Sequence, residues 1–316
     1  MTNLAQETLL AFVLDDEAAV KFANEQRQSI SQKPSQSNFR VFAMILLEML
    51  GNKELRSIFG TNCEPDYIGG SICAERAAIC QLRMLTNFRV IKIIIVTDNC
   101  SPIAPGPLCR EFMMSQFDGD TPVVMGNKDS SIVVSSPLAS LWPCRYLYCK
   151  LRRENILTFA VDIAAKIDSS QINNEFHKTV LEAASKSNIK DTSKIHPIAL
   201  SAAIIFSDLS VDTAWFLKCL EYGCSLDPVS QLVFSLENRR DKMNVDPIAI
   251  AMVDQFGIAH CPFAQARALL FEFGYNHIDV LYHDCHGSLH IAKVHELLPN
   301  PNGDAKVLKP SDFQCC

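Results

Sequence analysis

Apolar residues near the start of the chain recur at helical spacing (Leu9, Phe12, Val13, Val20, Phe22), which predicts an amphipathic helix within residues 1–30. The polar stretch SISQKPSQSN, residues 29–38, carries turn chemistry and one proline, so it reads as an exposed loop. From Phe39 the pattern changes. FRVFAMILLEML is apolar enough for a buried strand, although periodicity alone leaves a helix open there. Ser57–Thr61 is a short strand candidate, followed by a Pro/Gly-rich loop to Gly70. Ile72, Ala78, Ile79, Leu82 and Leu85 have helical spacing, and Val90–Val96 is a β-branched run with one charge, Lys92, as expected of a central strand. The Pro-rich loop SPIAPGP follows, then a helix from about Leu108. This alternation implies an α/β layer with parallel pairing.

Residues 151–194 are more polar and helical, with scattered charges (Arg152, Arg153, Glu154, Glu182, Lys186), and read as a connector. A second pass begins near His196. Ile198–Phe206 is apolar, Thr213–Leu220 is a strand candidate, and Pro228–Leu236 and Ala266–Phe273 are helix candidates. The order echoes the first half, so two structurally similar halves are expected. The division is an N-terminal helical segment 1–36, a first domain 37–150, the connector, and a second domain 195–316.

A length of 316 residues suits two domains of roughly 100–150 residues each. With 48% hydrophobic and 20% charged residues, disorder is excluded as the main state. The net charge of −6 argues against a nucleic-acid partner, which calls for a basic excess. No apolar run approaches the ~20 residues of a membrane span, and no membrane association is expected. The opening MTNLAQETLL lacks the basic n-region of a signal peptide, so the expectation is a cytoplasmic protein. Thirteen cysteines would mean disulfides in a small secreted chain; here they read as reduced thiols, a few reserved for metal. The terminal Cys315-Cys316 reads as a solvated tail. His283, Cys285, His286 and His290 crowd YHDCHGSLH, which is read as a strand and a solvated turn rather than a metal cluster.

The informative segment runs from Gly60 to Ile79. Cys73 and Glu75 fall at the beginning of a helix, where free N–H groups and the positive dipole end favour a thiolate. Cys109 also lies at a helix start, directly after the Pro-rich loop. Two thiolates converging from two helix N-termini make a zinc (Zn2+) site, with the carboxylate beside it as proton carrier.

At these residues the sequence resembles the cytidine deaminases. The zinc deaminase signature is H-x-E followed by P-C-x-x-C, with Cys allowed for His. Cys73-Ala74-Glu75-Arg76 is similar to the first half. Asn62-Cys63-Glu64 resembles the family's Asn-x-Glu element, and Phe39-Arg40-Val41 its aromatic-bearing strand. In Pro105-Gly106-Pro107-Leu108-Cys109-Arg110-Glu111-Phe112-Met113, Pro105, Cys109, Arg110, Phe112 and Met113 match, whereas Gly106 stands where the family places its middle zinc ligand. Cys100, Cys63 or Asp98 could supply the missing ligand, with Cys100 preferred. The second half resembles the non-catalytic C-terminal domain of two-domain, bacterial-type members. There Cys224–Leu232 takes the place of the Cys-Ala-Glu helix, and Phe263 and Ala266 replace the downstream ligands.

The resemblance implies tandem three-layer α/β/α cytidine-deaminase-like domains with mixed central sheets. It implies hydrolytic deamination of cytidine or deoxycytidine in pyrimidine salvage, by a homodimer. Glu75 is then the acid–base residue. Asn62 and Glu64 hold the ribose, Phe39 meets the pyrimidine, the Ala74 N–H orients the base carbonyl, and Arg76 offsets thiolate charge. A rival reading, supported by Gly106, is a non-catalytic nucleoside sensor or scaffold on the same fold.

Overall fold

Where the spacing predicts one N-terminal helix there are two, because Asp15 leaves helical geometry and its side chain caps a new helix, accepting from Glu17 N and Ala18 N at 2.9 and 3.1 Å. A computed structural model of the chain describes residues 4–168, 172–243 and 245–299, so Cys315 and Cys316 lie outside the described residues. It divides between Trp142 and Pro143 into two units, each a mixed sheet flanked by helices.

The first unit contains α1 (Gln6–Leu14), α2 (Asp16–Ser29), β1 (Val41–Met49), β2 (Leu55–Thr61), α3 (Ala74–Leu82), β3 (Phe88–Thr97), α4 (Pro107–Gln116), β4 (Pro122–Gly126), β5 (Val133–Pro137) and α5 (Leu138–Leu141). The strand order is β2-β1-β3-β4-β5. Only β3 and β4 pair in parallel; β1 is antiparallel to both β2 and β3, so the sheet is mixed rather than the parallel layer that element order suggests. The short Leu50–Glu54 connection explains this, since a two-strand hairpin needs no crossover helix. Phe42, Met44, Leu46, Ile94 and Val96 form one face of the sheet and pack with Leu9, Phe12, Val20 and Ala23 of α1 and α2. Alternate residues (Ala43, Ile45, Leu47, Ile93, Ile95) are buried on the other face, where α3 lies against β1 and β2. Double-sided burial is why these strands read as unbroken apolar runs.

The second unit contains α6 (Arg153–Ala164), α7 (Glu175–Ser187), β6 (Leu200–Phe206), β7 (Val211–Trp215), α8 (Pro228–Met243), β8 (Pro247–Asp254), β9 (Ala259–His260), α9 (Ala264–Glu272), β10 (Asp279–His283), β11 (Leu289–Lys293) and α10 (Val294–Leu297). Its main order is β11-β10-β8-β6-β7, with β9 on β8 and one parallel pair, β8 with β10. Ala202, Ile204, Phe206, Ile250 and Met252 face α6, α8 and α9. Ala203, Ile205, Ala249, Ala251 and Val253 face α7. The strand expected over Thr213–Leu220 ends at Trp215, after which Phe216 N donates to Leu200 O at 2.9 Å and Leu217 sits in an isolated bridge to Leu226. The YHDCHGSLH segment is a strand, a turn and a strand, and His283 is buried under β9, its Nδ1 accepting from Ala259 N at 2.8 Å.

Burial, with His260 nearby, pushes His283 down to about 4. The unfolded chain therefore binds this proton more readily than the fold does. The associated stability is intact above pH ~6.5 and is lost as pH falls through 4, amounting to about 2–3 kcal/mol. Denaturant titrations at pH 7 and pH 4 should show this loss in the wild type and a smaller one in His283→Gln, which keeps an acceptor; equal losses would count against the assignment.

Candidate active site

Gly60 sets how closely α3 approaches the sheet. A Cβ there would lie 2.2 Å from Ala74 O and 2.5 Å from Ala78 N, so only glycine lets the first turn of α3 press onto β2. That turn carries Cys73 at the N-cap, Ala74 at 0% exposure and Glu75 at 4%. The second helix start, α4, has Gly106 at its N-cap and Pro107 at its first position, which places Cys109 in the first turn, fully buried. Buried Arg110 fixes the loop ahead of it, donating through Nε to Pro105 O at 2.6 Å and through Nη1 to Leu141 O at 3.0 Å.

The two helix starts meet. Among the described residues, Cys73, Glu75 and Cys109 are the group of three potential metal-binding side chains, their ligand atoms all within 4.8 Å of one another. The Cys109 thiol lies 3.6 Å from Glu75 Oε2 as donor. That one hydrogen can turn instead to Cys73, an interaction that, with the Arg76 guanidinium, lowers Cys73 to about 6; Cys109 itself is pushed far up by it and by burial. Arg76 Nη2 lies 3.7 Å from Cys73 Sγ and donates to Ser71 O at 2.8 Å. Burial raises Glu75 to about 7, with the Cys73 charge adding to the effect. A carboxyl at that value gives and takes a proton near neutral pH.

Two sulfurs suit a soft divalent ion, with the Glu75 carboxyl close enough to act on a water held there and a cation beside them, Arg76, whose Nε is buried with no hydrogen-bond partner. A Cβ built at Gly106 meets nothing within 4 Å, so a third sulfur ligand would have room there. Cys100 is not brought into this group; its sulfur is in a disulfide, and its carbonyl accepts from Asn127 Nδ2 at 2.9 Å. Asp98 is engaged elsewhere, pairing with Arg27 and taking Arg40 N, Nε and Nη2 at 2.8, 3.1 and 3.2 Å. Cys63 is exposed and bridges to Ile72 through its backbone.

Asn62, Glu64 and Phe39 form a second cluster. Asn62 Nδ2 donates to Phe39 O at 2.8 Å and to Glu64 Oε1 at 3.1 Å, and its Oδ1 accepts from Val41 N at 2.8 Å. Glu64 is near enough for its charge to oppose ionisation of Cys73. The sequence reading missed Ser37, which bonds both carboxylate oxygens of Glu64. It lies in a loop 27 positions away, and no pattern in the chain links the two.

The second unit repeats the frame, and among its described residues no Cys/Glu/Cys group is brought together. Arg267 Nε donates to Pro262 O at 2.8 Å and Nη1 to Leu297 O at 2.8 Å, as Arg110 does in the first unit. The helix equivalent to α3 starts at Pro228, so Asp227, rather than Cys224, stands at the position of Cys73. It caps the helix, accepting from Val229 N and Ser230 N at 3.0 and 2.9 Å. Val229 stands for Glu75, Phe263 for Gly106 and Ala266 for Cys109.

The chain is 32% identical over 96 residues to a cytidine deaminase of Halalkalibacterium halodurans, a match covering 30% of this chain and 69% of that protein. It belongs to the cytidine deaminase family. No family model matches it. Solved structures similar to it include cytidine deaminases from Burkholderia pseudomallei (26% identity, 40% of this chain and 97% of that one, TM-score 0.35) and Mycobacterium tuberculosis (21% identity, 41% and 99%, TM-score 0.35).

In the metal-free protein, iodoacetamide should label Cys73 with a rate midpoint near pH 6, and Arg76→Ala should move that midpoint upward. Labelling of Cys73 that rises only above pH 8 would contradict the geometry.

Proposed function

We propose that the chain is a zinc-dependent hydrolase that converts cytidine or deoxycytidine and water to the uridine product and ammonia. The observation that carries this reading is the fully enclosed Glu75 between the Cys73 and Cys109 thiols, at two helix N-termini, in a chain of the cytidine deaminase family. Cys73 and Cys109 would hold the zinc. When bound, zinc supplies a water acidified toward neutral pH.

The chain's own residues do the rest. Glu75 takes a proton from the attacking water and passes it to N3 of the base. It then delivers a proton to the departing amine, a reversal of role that a carboxyl held near 7 supports. The Ala74 N–H, one of the free donors of the first turn of α3, orients the base carbonyl. Phe39 packs against the pyrimidine, and the Asn62–Glu64 pair receives the sugar. A site that grips a sugar this way suits a free nucleoside rather than a base within a polynucleotide.

The first unit is read as the catalytic domain. The second, with Val229 and Ala266 where Glu75 and Cys109 would be, is read as non-catalytic, and the working assembly as a homodimer acting in pyrimidine salvage in the cytoplasm.

Two outcomes test the reading. Uridine formation from cytidine, followed chromatographically, should fall by about 10²–10⁴-fold or more in Glu75→Ala with the zinc content unchanged; undiminished turnover in that variant would remove Glu75 from the mechanism. Gly106→Cys, whose Cβ meets nothing within 4 Å, should tighten zinc binding against a chromogenic chelator by at least tenfold. Equal affinity in the two proteins would mean that position 106 does not face the metal.

A further inference from the structure

The contact between Ser37 and Glu64 bears on what the sugar site can read, and the inference drawn from it rests on the nucleoside reading above. An ionised carboxylate offers about four lone-pair sites. On Glu64, Oε1 takes the Ser37 hydroxyl at 2.7 Å and Asn62 Nδ2 at 3.1 Å, and Oε2 takes the Ser37 main-chain N–H at 2.8 Å. Three sites are filled, and the open one is on Oε2. Asn62 has no donor left, since its second amide hydrogen goes to Phe39 O at 2.8 Å. Ser37 Oγ has no donor left, since its hydrogen goes to Glu64, and it accepts from Phe39 N at 3.1 Å, which leaves one neutral lone pair. The loop is tied down a second time where Ser35 Oγ donates to the Glu64 carbonyl at 2.9 Å. The Asn62–Glu64 pair therefore presents a sugar with one charged acceptor site on Glu64, one neutral lone pair on Asn62 Oδ1 and no donor.

We propose that Ser37 is a specificity-determining residue: by filling Oε1 it limits Glu64 to a single sugar hydroxyl. A hydroxyl that donates to Oε2 is held, and the neighbouring hydroxyl on the sugar ring finds no partner on Glu64. Removing the Ser37 side-chain hydroxyl opens a second acceptor site on Oε1 while the backbone N–H still holds Oε2, so Glu64 then receives both hydroxyls.

The test uses uridine, 2′-deoxyuridine and 3′-deoxyuridine, which the proposed reaction does not consume, and measures dissociation constants by calorimetry. In the wild type, one deoxy analogue should bind within about twofold of uridine and the other about tenfold more weakly, the cost of one charge-assisted hydrogen bond. In Ser37→Ala both analogues should bind at least fivefold more weakly than uridine. Ser37→Thr, which keeps the hydroxyl, should restore the wild-type pattern, with thermal melting confirming that each variant folds. Weak binding of both analogues to the wild type overturns the proposal, even if no variant folds. An unchanged pattern in folded Ser37→Ala also overturns it. Uridine binding to neither wild type nor variant defeats the nucleoside reading itself, and the proposal with it.

Discussion

Two helix starts, borne by different loops, converge on one buried point in the first unit, and the surrounding structure holds them there. Gly60 lets α3 come down onto β2 until its first turn touches the strand backbone. Arg110, buried and bonded to Pro105 O and Leu141 O, holds the loop that leads into α4. The result places a carboxyl between two thiols, out of water. Burying a carboxylate is costly, so the group stays protonated to about 7. The same desolvation that would weaken the fold at high pH supplies an acid–base group near neutral pH. Arg76 beside Cys73 sets the opposite bias on the thiol.

The second unit shows the frame with other residues at its helix starts. Its buried arginine, Arg267, still ties the loop before the helix, and its helix start is still capped, by Asp227. Asp227 stands where the first unit has Cys73, and the positions matching Glu75, Gly106 and Cys109 are filled with apolar groups. Val229 and Ala266 join the core, and Phe263 packs its ring against Tyr146 and Phe216. Frame and candidate site are thus separable: loop clamps and helix caps keep the architecture in both units, while the side chains at the helix starts differ.

Much of this was legible in the chain. The strands buried on both faces, β1, β3 and β6, announce themselves as apolar runs, and the helix starts at Cys73 and after Pro107 follow from local chemistry. Element order misled about pairing, because the short connection over 50–54 makes β1 and β2 a hairpin and β3 then joins β1 antiparallel. The helix break at Asp15 was hidden, since apolar spacing continues across it while a side-chain cap resets the backbone. The convergence of Cys73, Glu75 and Cys109 was readable because both helix starts carry the residues of a known signature. Contacts made by unpatterned loops were not: the Ser37–Glu64 bonds and the commitment of Asp98 to Arg27 and Arg40 join segments with no shared periodicity. Gly106 was visible as a departure, but only the structure shows that the space beside it is open.

The central claim is that Cys73, Glu75 and Cys109 form one metal-dependent deaminating centre. The measurement that tests it most directly is ammonia release from cytidine by chelator-stripped protein as zinc is titrated back. Release should be absent without metal, rise in proportion to added zinc and level off at about one equivalent per chain. Release that is independent of zinc, or no release at saturating zinc from folded protein, would contradict it.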